Sequence, residues 1–127
     1  MPSRVYDTRF FMELFYSKNP EMRKKMDTEK RNRGKYVSAI VVHELYQLTL
    51  SRDGRETAKF RTMLVKQSFE IIPVDEQVAQ LSAELRQKYQ LSMGDSMIAA
   101  TAALIDAVCV SDDPHFKQIK EIRTVWV

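Results

Sequence analysis

The sequence predicts an α/β fold of three layers, α/β/α, around a mainly parallel central sheet. Three observations point there. Short apolar segments that read as buried strands alternate with longer amphipathic segments that read as helices. Two of the apolar segments end in aspartate. No Pro/Ser-rich linker, repeat or low-complexity tract divides the 127 residues, a length that suits one domain spanning 1–127.

The elements follow in order. Val5-Tyr6-Asp7 opens the chain as a strand. In residues 8–16, Phe10, Phe11, Leu14 and Phe15 form an i, i+1, i+4, i+5 stripe, suited to the core or equally to a second subunit. Residues 21–33 are mostly polar and predict a peripheral helix. Residues 35–38 form a second strand, and residues 39–50 repeat apolar side chains at Val41, Val42, Leu45, Tyr46 and Leu48. Residues 55–67 carry Phe60, Met63 and Leu64. Residues 69–74 read as a strand. Asp75 is placed to cap a helix over 75–89 with Val78, Leu81, Ser82 and Leu85 on one face. Ser92 is placed to cap the next helix, whose Ile98, Ala99, Ala102 and Ala103 allow a close approach to the sheet. Residues 107–113 and 124–127 complete the strands.

Composition removes several classes. The chain is 44% hydrophobic and 29% charged, enough to bury one core. No apolar run approaches the roughly 18 residues of a membrane span, and Met1-Pro2-Ser3-Arg4 has no apolar signal segment, so a cytoplasmic location is expected. Cys109 stands alone and cannot form an internal disulfide; two histidines argue against a zinc cage. Gly34, Gly54 and Gly94 are too dispersed for a dinucleotide loop or a P-loop.

The net charge is +3, but it is uneven. Residues 18–35 hold eight bases (Lys18, Arg23, Lys24, Lys25, Lys30, Arg31, Arg33, Lys35) against three acids. A second basic stretch comprises Arg52, Arg55, Lys59, Arg61 and Lys66. Such faces attract polyanions, or are simply solvated helix surfaces.

Four carboxylates fall where the sequence otherwise prepares core. In sheets of this kind ligands bind outside the carboxyl ends of the strands. Asp7 ends the first strand and Asp112-Asp113 follow the fourth. Glu44 sits among Val41, Val42, Leu45 and Tyr46, and Asp95 precedes the Ala-rich helix. Each has a plain structural alternative: Asp7 and Asp95 as helix caps, Glu44 at a helix edge, Asp112-Asp113-Pro114 as a turn. Together, without basic neighbours, they would repel, and a cation would hold them. Hard carboxylate oxygens select Mg2+ or Mn2+.

Val5-Tyr6-Asp7-Thr8, then Ser38 with Glu44, then Asp95-Ser96-Met97-Ile98-Ala99-Ala100-Thr101-Ala102, then Ser111-Asp112-Asp113-Pro114-His115-Phe116 resemble the four motifs of the PIN domain. The resemblance runs over residues 5–127, and the chain's length and layout are similar to VapC-type toxin ribonucleases. It implies a single PIN-like nuclease domain, a magnesium- or manganese-dependent endoribonuclease whose catalytic and metal-binding acids are Asp7, Glu44, Asp95 and Asp113. Ser111 stands where the family usually has Thr, and Thr8 and Ser38 match small hydroxyl residues nearby. Arg9 departs from the family's smaller residue and is placed to contact phosphate or to obstruct the site. The Asp112-Asp113 pair leaves open which carboxylate turns inward; register favours Asp113. His43 and His115 read as structural or solvent-facing, with His115 within reach of a phosphate. RNA would be held by Arg9, Lys24, Lys25, Arg31 and Arg33, with the 52–66 stretch as a second surface. The resemblance also implies an RNA substrate, an antitoxin protein as partner and a homodimer, with no membrane role. A catalytically silent PIN-like module binding RNA or protein is the alternative. A receiver-type phosphorylation domain lacks its adjacent acids after the first strand.

Overall fold

The computed structural model describes residues 3–127; Met1 and Pro2, the start of the segment in which the sequence predicts no leader, lie outside the described residues. The chain runs β1 (Arg4–Tyr6), α1 (Thr8–Tyr16), α2 (Pro20–Glu29), β2 (Lys35–Ser38), α3 (Ala39–Asp53), α4 (Arg55–Ser68), β3 (Glu70–Ile72), α5 (Glu76–Tyr89), α6 (Met93–Leu104), β4 (Val108–Val110), α7 (Pro114–Lys117) and β5 (Thr124–Val125). The sheet order is β3-β2-β1-β4-β5 and every neighbouring pair is parallel. The expected mainly parallel sheet is thus wholly parallel. Right-handed crossovers put α1–α4 on one face and α5–α7 on the other, which gives the three layers.

Strand direction reverses its lateral course between β1 and β4. Successive crossovers from β1 lead to β2 and β3 on one side, while β4 and β5 lie on the other. The crevice outside the carboxyl ends of β1 and β4 is therefore the topological switch point, the place where such sheets bind ligands.

Both faces of the sheet are covered at its centre, so the central strands carry successive apolar residues without alternation: Val5, Tyr6, Val37, Cys109 and Val110 are fully buried. On the α1–α4 face Tyr6, Phe10, Phe11 and Phe69 form an aromatic cluster with ring centroids 4.5–6.3 Å apart. The Phe10-Phe11 part of the stripe is thereby core rather than a subunit interface. The alanines of α6 do what small side chains allow: Ala99, Ala100 and Ala102 are fully buried. Burial raises the Cys109 thiol's pKa, with the Asp7 and Asp95 carboxylates adding to the effect, so the thiol stays a protonated core group.

Most element limits fall near those expected, and the departures have local causes. β2 has the predicted bounds, and β1 lies one residue earlier because Asp7 turns into the cap of α1. The strands predicted at 69–74, 107–113 and 124–127 are shorter, the fourth giving way before Asp113 caps α7. The predicted helix over 21–33 begins at Pro20, capped by Asn19, and stops at Glu29, because Gly34 at φ +68° turns the chain back into β2. Nor is α2 merely peripheral. Met26 is buried, and the Glu29 carboxylate accepts hydrogen bonds from Tyr6 Oη at 2.7 Å, Arg4 Nη1 at 2.5 Å and Asn32 Nδ2 at 3.0 Å. All three meet the same oxygen, Oε1, so this buried charge is paired with a cation and two neutral donors. No helix among the described residues is long and apolar enough to cross a membrane.

Candidate active site

Asp7 leaves β1 at the switch point and is only 3% exposed. Its Oδ1 accepts the Phe10 N–H at 3.2 Å, capping α1, and its Oδ2 accepts from Ser111 Oγ at 2.5 Å across the crevice. The structural alternative and the functional one therefore coexist: each oxygen keeps a free lone pair beyond these bonds. Burial raises the Asp7 pKa to about 6, against the Ser111 and Phe10 hydrogen bonds, with the Asp112 and Asp95 charges adding to the rise.

Ser111 follows β4 and is buried. Its hydroxyl donates to Asp7 and accepts the Asp113 N–H at 3.0 Å, so one small side chain ties both switch-point turns together. Asp113 caps α7 through His115 N at 2.9 Å, and its Oδ1 is also 2.9 Å from His115 Nδ1. Asp112 points elsewhere, in a two-pronged ion pair with Arg9: Arg9 Nε and Nη2 both donate to it, the latter at 3.2 Å. Between the two aspartates, Asp113 is the one whose carboxylate meets Asp95. Arg9 lies close enough to Asp7 and Asp113 for each to raise its pKa, behind the larger effect of its bond to Asp112. A basic neighbour thus stands at the edge of an acid group for which the sequence predicts none.

Asp95 lies in the first turn of α6, but the cap is Ser92, whose hydroxyl accepts the Asp95 N–H at 3.2 Å. Its carboxylate is left free to face the crevice. Burial raises its pKa, followed by repulsion from Asp113; Glu44 also raises it, while Ser92 and His115 oppose. Asp95, Asp113 and His115 each bring one potential ligand atom within 4.8 Å of the others. His115 is exposed, in line with its reading as solvent-facing, yet its Nδ1 also stands beside the Asp113 carboxylate, a ligand role the sequence reading does not give it.

Glu44 comes from the second turn of α3, half-buried. Thr8 Oγ1 donates to its Oε1 at 2.6 Å. Its Oε2 occupies the space left by the missing side chain of Gly94: a β-carbon there would lie 2.8 Å away. Gly94 is a second site residue that sequence reasoning passes over. Ser38 is fully buried and caps α3 through Ile40 N at 3.3 Å, which sets the direction in which α3 presents Glu44. The charges of Asp7, Glu44, Asp95 and Asp113 are therefore linked through Asp95, and the residues arrive on four separate elements.

The basic residues distribute differently. Arg9 is at the site's edge. Lys24 and Lys25 are exposed on α2, and Arg31 and Arg33 lie in the turn before β2, at the opposite end of the sheet from the acids. The structure does not bring them to the carboxylates. In the second basic stretch, Arg61 pairs with Asp53 at 3.2 Å, and Arg52 and Arg61 stack on the Tyr16 ring at 4.7 and 4.5 Å.

A wholly parallel α/β sheet with carboxylates grouped at its switch point defines an acid-centred ligand site on a doubly wound domain. The family model described as the PIN domain matches residues 4–122, and the chain belongs to that family. Among curated protein sequences none matches the chain significantly. Solved structures similar to it over nearly full length include the VapBC2 complex of Rickettsia felis bound to a promoter DNA fragment, at 18% identity and a TM-score of 0.81, covering 98% of both chains. A toxin–antitoxin complex from Klebsiella pneumoniae matches at 25% identity and a TM-score of 0.76, covering 97% of this chain and 96% of the other. Mycobacterium tuberculosis VapC20, described as a Sarcin-Ricin loop cleaving toxin, matches at 16% identity and a TM-score of 0.76, covering 95% and 99%. At 16–18% identity the likeness carries the fold.

Proposed function

We propose that this chain, as one domain over residues 1–127, is a metal-dependent endoribonuclease that hydrolyses RNA phosphodiester bonds, and that it acts as the toxin of a toxin–antitoxin pair. The observation that supports the reading is the approach of Asp95, Asp113 and His115 to within 4.8 Å of one another at the switch point, with the Asp7 and Glu44 charges coupled to Asp95 and burial raising the pKa values of Asp7 and Asp95. Uncompensated acids in such a place fit a cation. The donors are nearly all hard carboxylate oxygens, which favours Mg2+ or Mn2+ over softer ions.

Asp7, Glu44, Asp95 and Asp113 would hold the ion, with His115 beside Asp113 as a further donor. When bound, a divalent ion neutralises charge on a phosphodiester and makes a water molecule more acidic. The chain's own residues do the positioning. Ser111 fixes the Asp7 carboxylate through its 2.5 Å hydrogen bond, and Thr8 fixes Glu44 at 2.6 Å. Arg9, anchored by Asp112, presents a cation at the rim where a phosphate approaches.

An antitoxin is the proposed protein partner, since the Klebsiella pneumoniae structure is described as a toxin–antitoxin complex. Exposed Leu48, Leu50, Phe60 and Met63 on α3 and α4 offer apolar surface to a partner. A homodimer and a cytoplasmic location complete the proposal.

The test is cleavage of RNA by purified protein in Mg2+ or Mn2+ against chelator, with product ends analysed. Cleavage that appears with metal and leaves 5′-phosphate ends is expected; metal-independent cleavage, or none on any RNA tested, would refute the reading. Gly94→Ala probes the geometry. An alanine within a helix costs nothing and adds up to about 1 kcal/mol of stability, and the clash falls on a flexible carboxylate end. The variant should melt no lower than wild type and yet lose about 10–100-fold in cleavage as Glu44 shifts. Unchanged cleavage would remove Glu44 from the site.

A further inference from the structure

The basic cluster of residues 30–35 is a surface in its own right. Lys35 opens β2 in register with Arg4, which opens β1, whereas Asp7 and Ser38 stand at the far ends of those strands. A four-residue strand separates the two edges by about 10 Å, before the turn carrying Arg31 and Arg33 is added. Asn32, Arg33, Lys35, Tyr36, Ser68 and Glu70 line a groove of ≈ 330 Å³ on this amino edge.

Its cations are unneutralised. Among the described residues Lys30 pairs with Asp27 at 3.2 Å, but Arg31, Arg33 and Lys35 have no carboxylate within 4.0 Å, in contrast to Arg61 on its Asp53. They are also held in place. Lys35 Nζ donates to the Lys30 carbonyl and lies 5.2 Å from the centre of the Phe69 ring. Gly34, at φ +68°, packs so closely on Ser3 that a β-carbon would lie 3.3 Å from its Oγ, fixing the turn between Arg33 and Lys35. Burial, and then the charge of Lys30, lowers the Lys35 pKa, with the Glu29 carboxylate opposing. Only Glu70 on the lining opposes them.

We propose that this amino-edge groove binds the phosphate backbone of RNA several nucleotides away from the cut, so that the substrate is a chain long enough to span both edges of the sheet. This rests on the ribonuclease reading for the word substrate, but not for the binding. Guanidinium and ammonium groups suit phosphate oxygens, Asn32 and Ser68 supply hydrogen bonds, and the Tyr36 ring offers a base a stacking face.

The test is equilibrium binding of long poly(U) and of hexauridylate in chelator, where nothing is cut, to wild type and to Arg31→Gln/Arg33→Gln. Both arginines are exposed, so the fold should hold. Poly(U) binding should weaken about tenfold in the variant, and the slope of log affinity against log salt should fall by about 1–1.5. Hexauridylate, whose extended length also exceeds the ~10 Å between the edges, should weaken in the same direction. Equal poly(U) affinity and slope for both proteins would overturn the proposal. So would polyglutamate competing as well as poly(U), which would make the groove a site for an acidic protein. Failure of the ribonuclease reading shows separately, as wild type that cuts no RNA in Mg2+ or Mn2+ while the binding difference persists.

Discussion

Asp95→Asn and Asp7→Asn should each lower RNA cleavage by at least about 10²–10³-fold without unfolding the protein. An amide keeps the volume and loses the charge that a divalent ion needs. The Asp95 carboxylate is not the cap of α6, since Ser92 is, so the fold has little stake in it. At Asp7 the capping bond to Phe10 N survives, because asparagine caps as well as aspartate and its oxygen still accepts. Initial rates under matched metal, with circular dichroism on the same samples, check the expectation. Normal rates in both variants would contradict it. Intact spectra with lost rates would separate chemistry from folding.

The second large effect is on stability in chelator, and its sign is opposite to that of an ordinary paired acid. The Asp7 pKa is raised from 3.8 to about 6 in the folded protein. Between those values the folded state binds more protons than the unfolded one, so stability falls as pH rises. The contribution is fully present below the unfolded value and lost as pH passes through the folded one. A shift of this size corresponds to on the order of 2–3 kcal/mol for this buried group. Asp7→Asn should therefore be more stable than wild type by about 1–3 kcal/mol at pH 7.5 in chelator. That gap should shrink toward zero by about pH 4. Urea unfolding across this range measures it. A variant less stable than wild type at pH 7.5 would mean that Asp7 is stabilised as a charge by partners, and not strained by burial. Added Mg2+ or Mn2+ should raise wild type and leave the variant nearly unmoved.

The layers of the fold were legible because burial on both faces imposes continuous apolar strands, and α6 needs small residues to lie against them. Val108–Val110 and the alanines of α6 carry that signal directly. The early end of α2 was not, because it depends on the Gly34 turn and on Glu29 meeting Tyr6 and Arg4, a contact 23–25 residues apart in sequence. At the site, Asp7 and Asp113 stood out as acids after strands. The partition of Asp112 to Arg9 required knowing that residues 103 positions apart adjoin. Gly94 carried no sequence signal at all; its role is the space that Glu44 fills. The basic turn at 30–35 was visible as charge, but only the register of β1 with β2 puts it on the far edge.

The most direct measurement is a Mn2+ titration of wild type and Asp95→Asn at pH 7.5, followed by calorimetry or by the loss of the free-ion paramagnetic signal. Wild type should bind Mn2+ at the switch point, with affinity falling in acid as Asp7 and Asp95 take up protons, and Asp95→Asn should bind at least about tenfold more weakly. Equal affinity in the two proteins would contradict a metal centre built on these carboxylates.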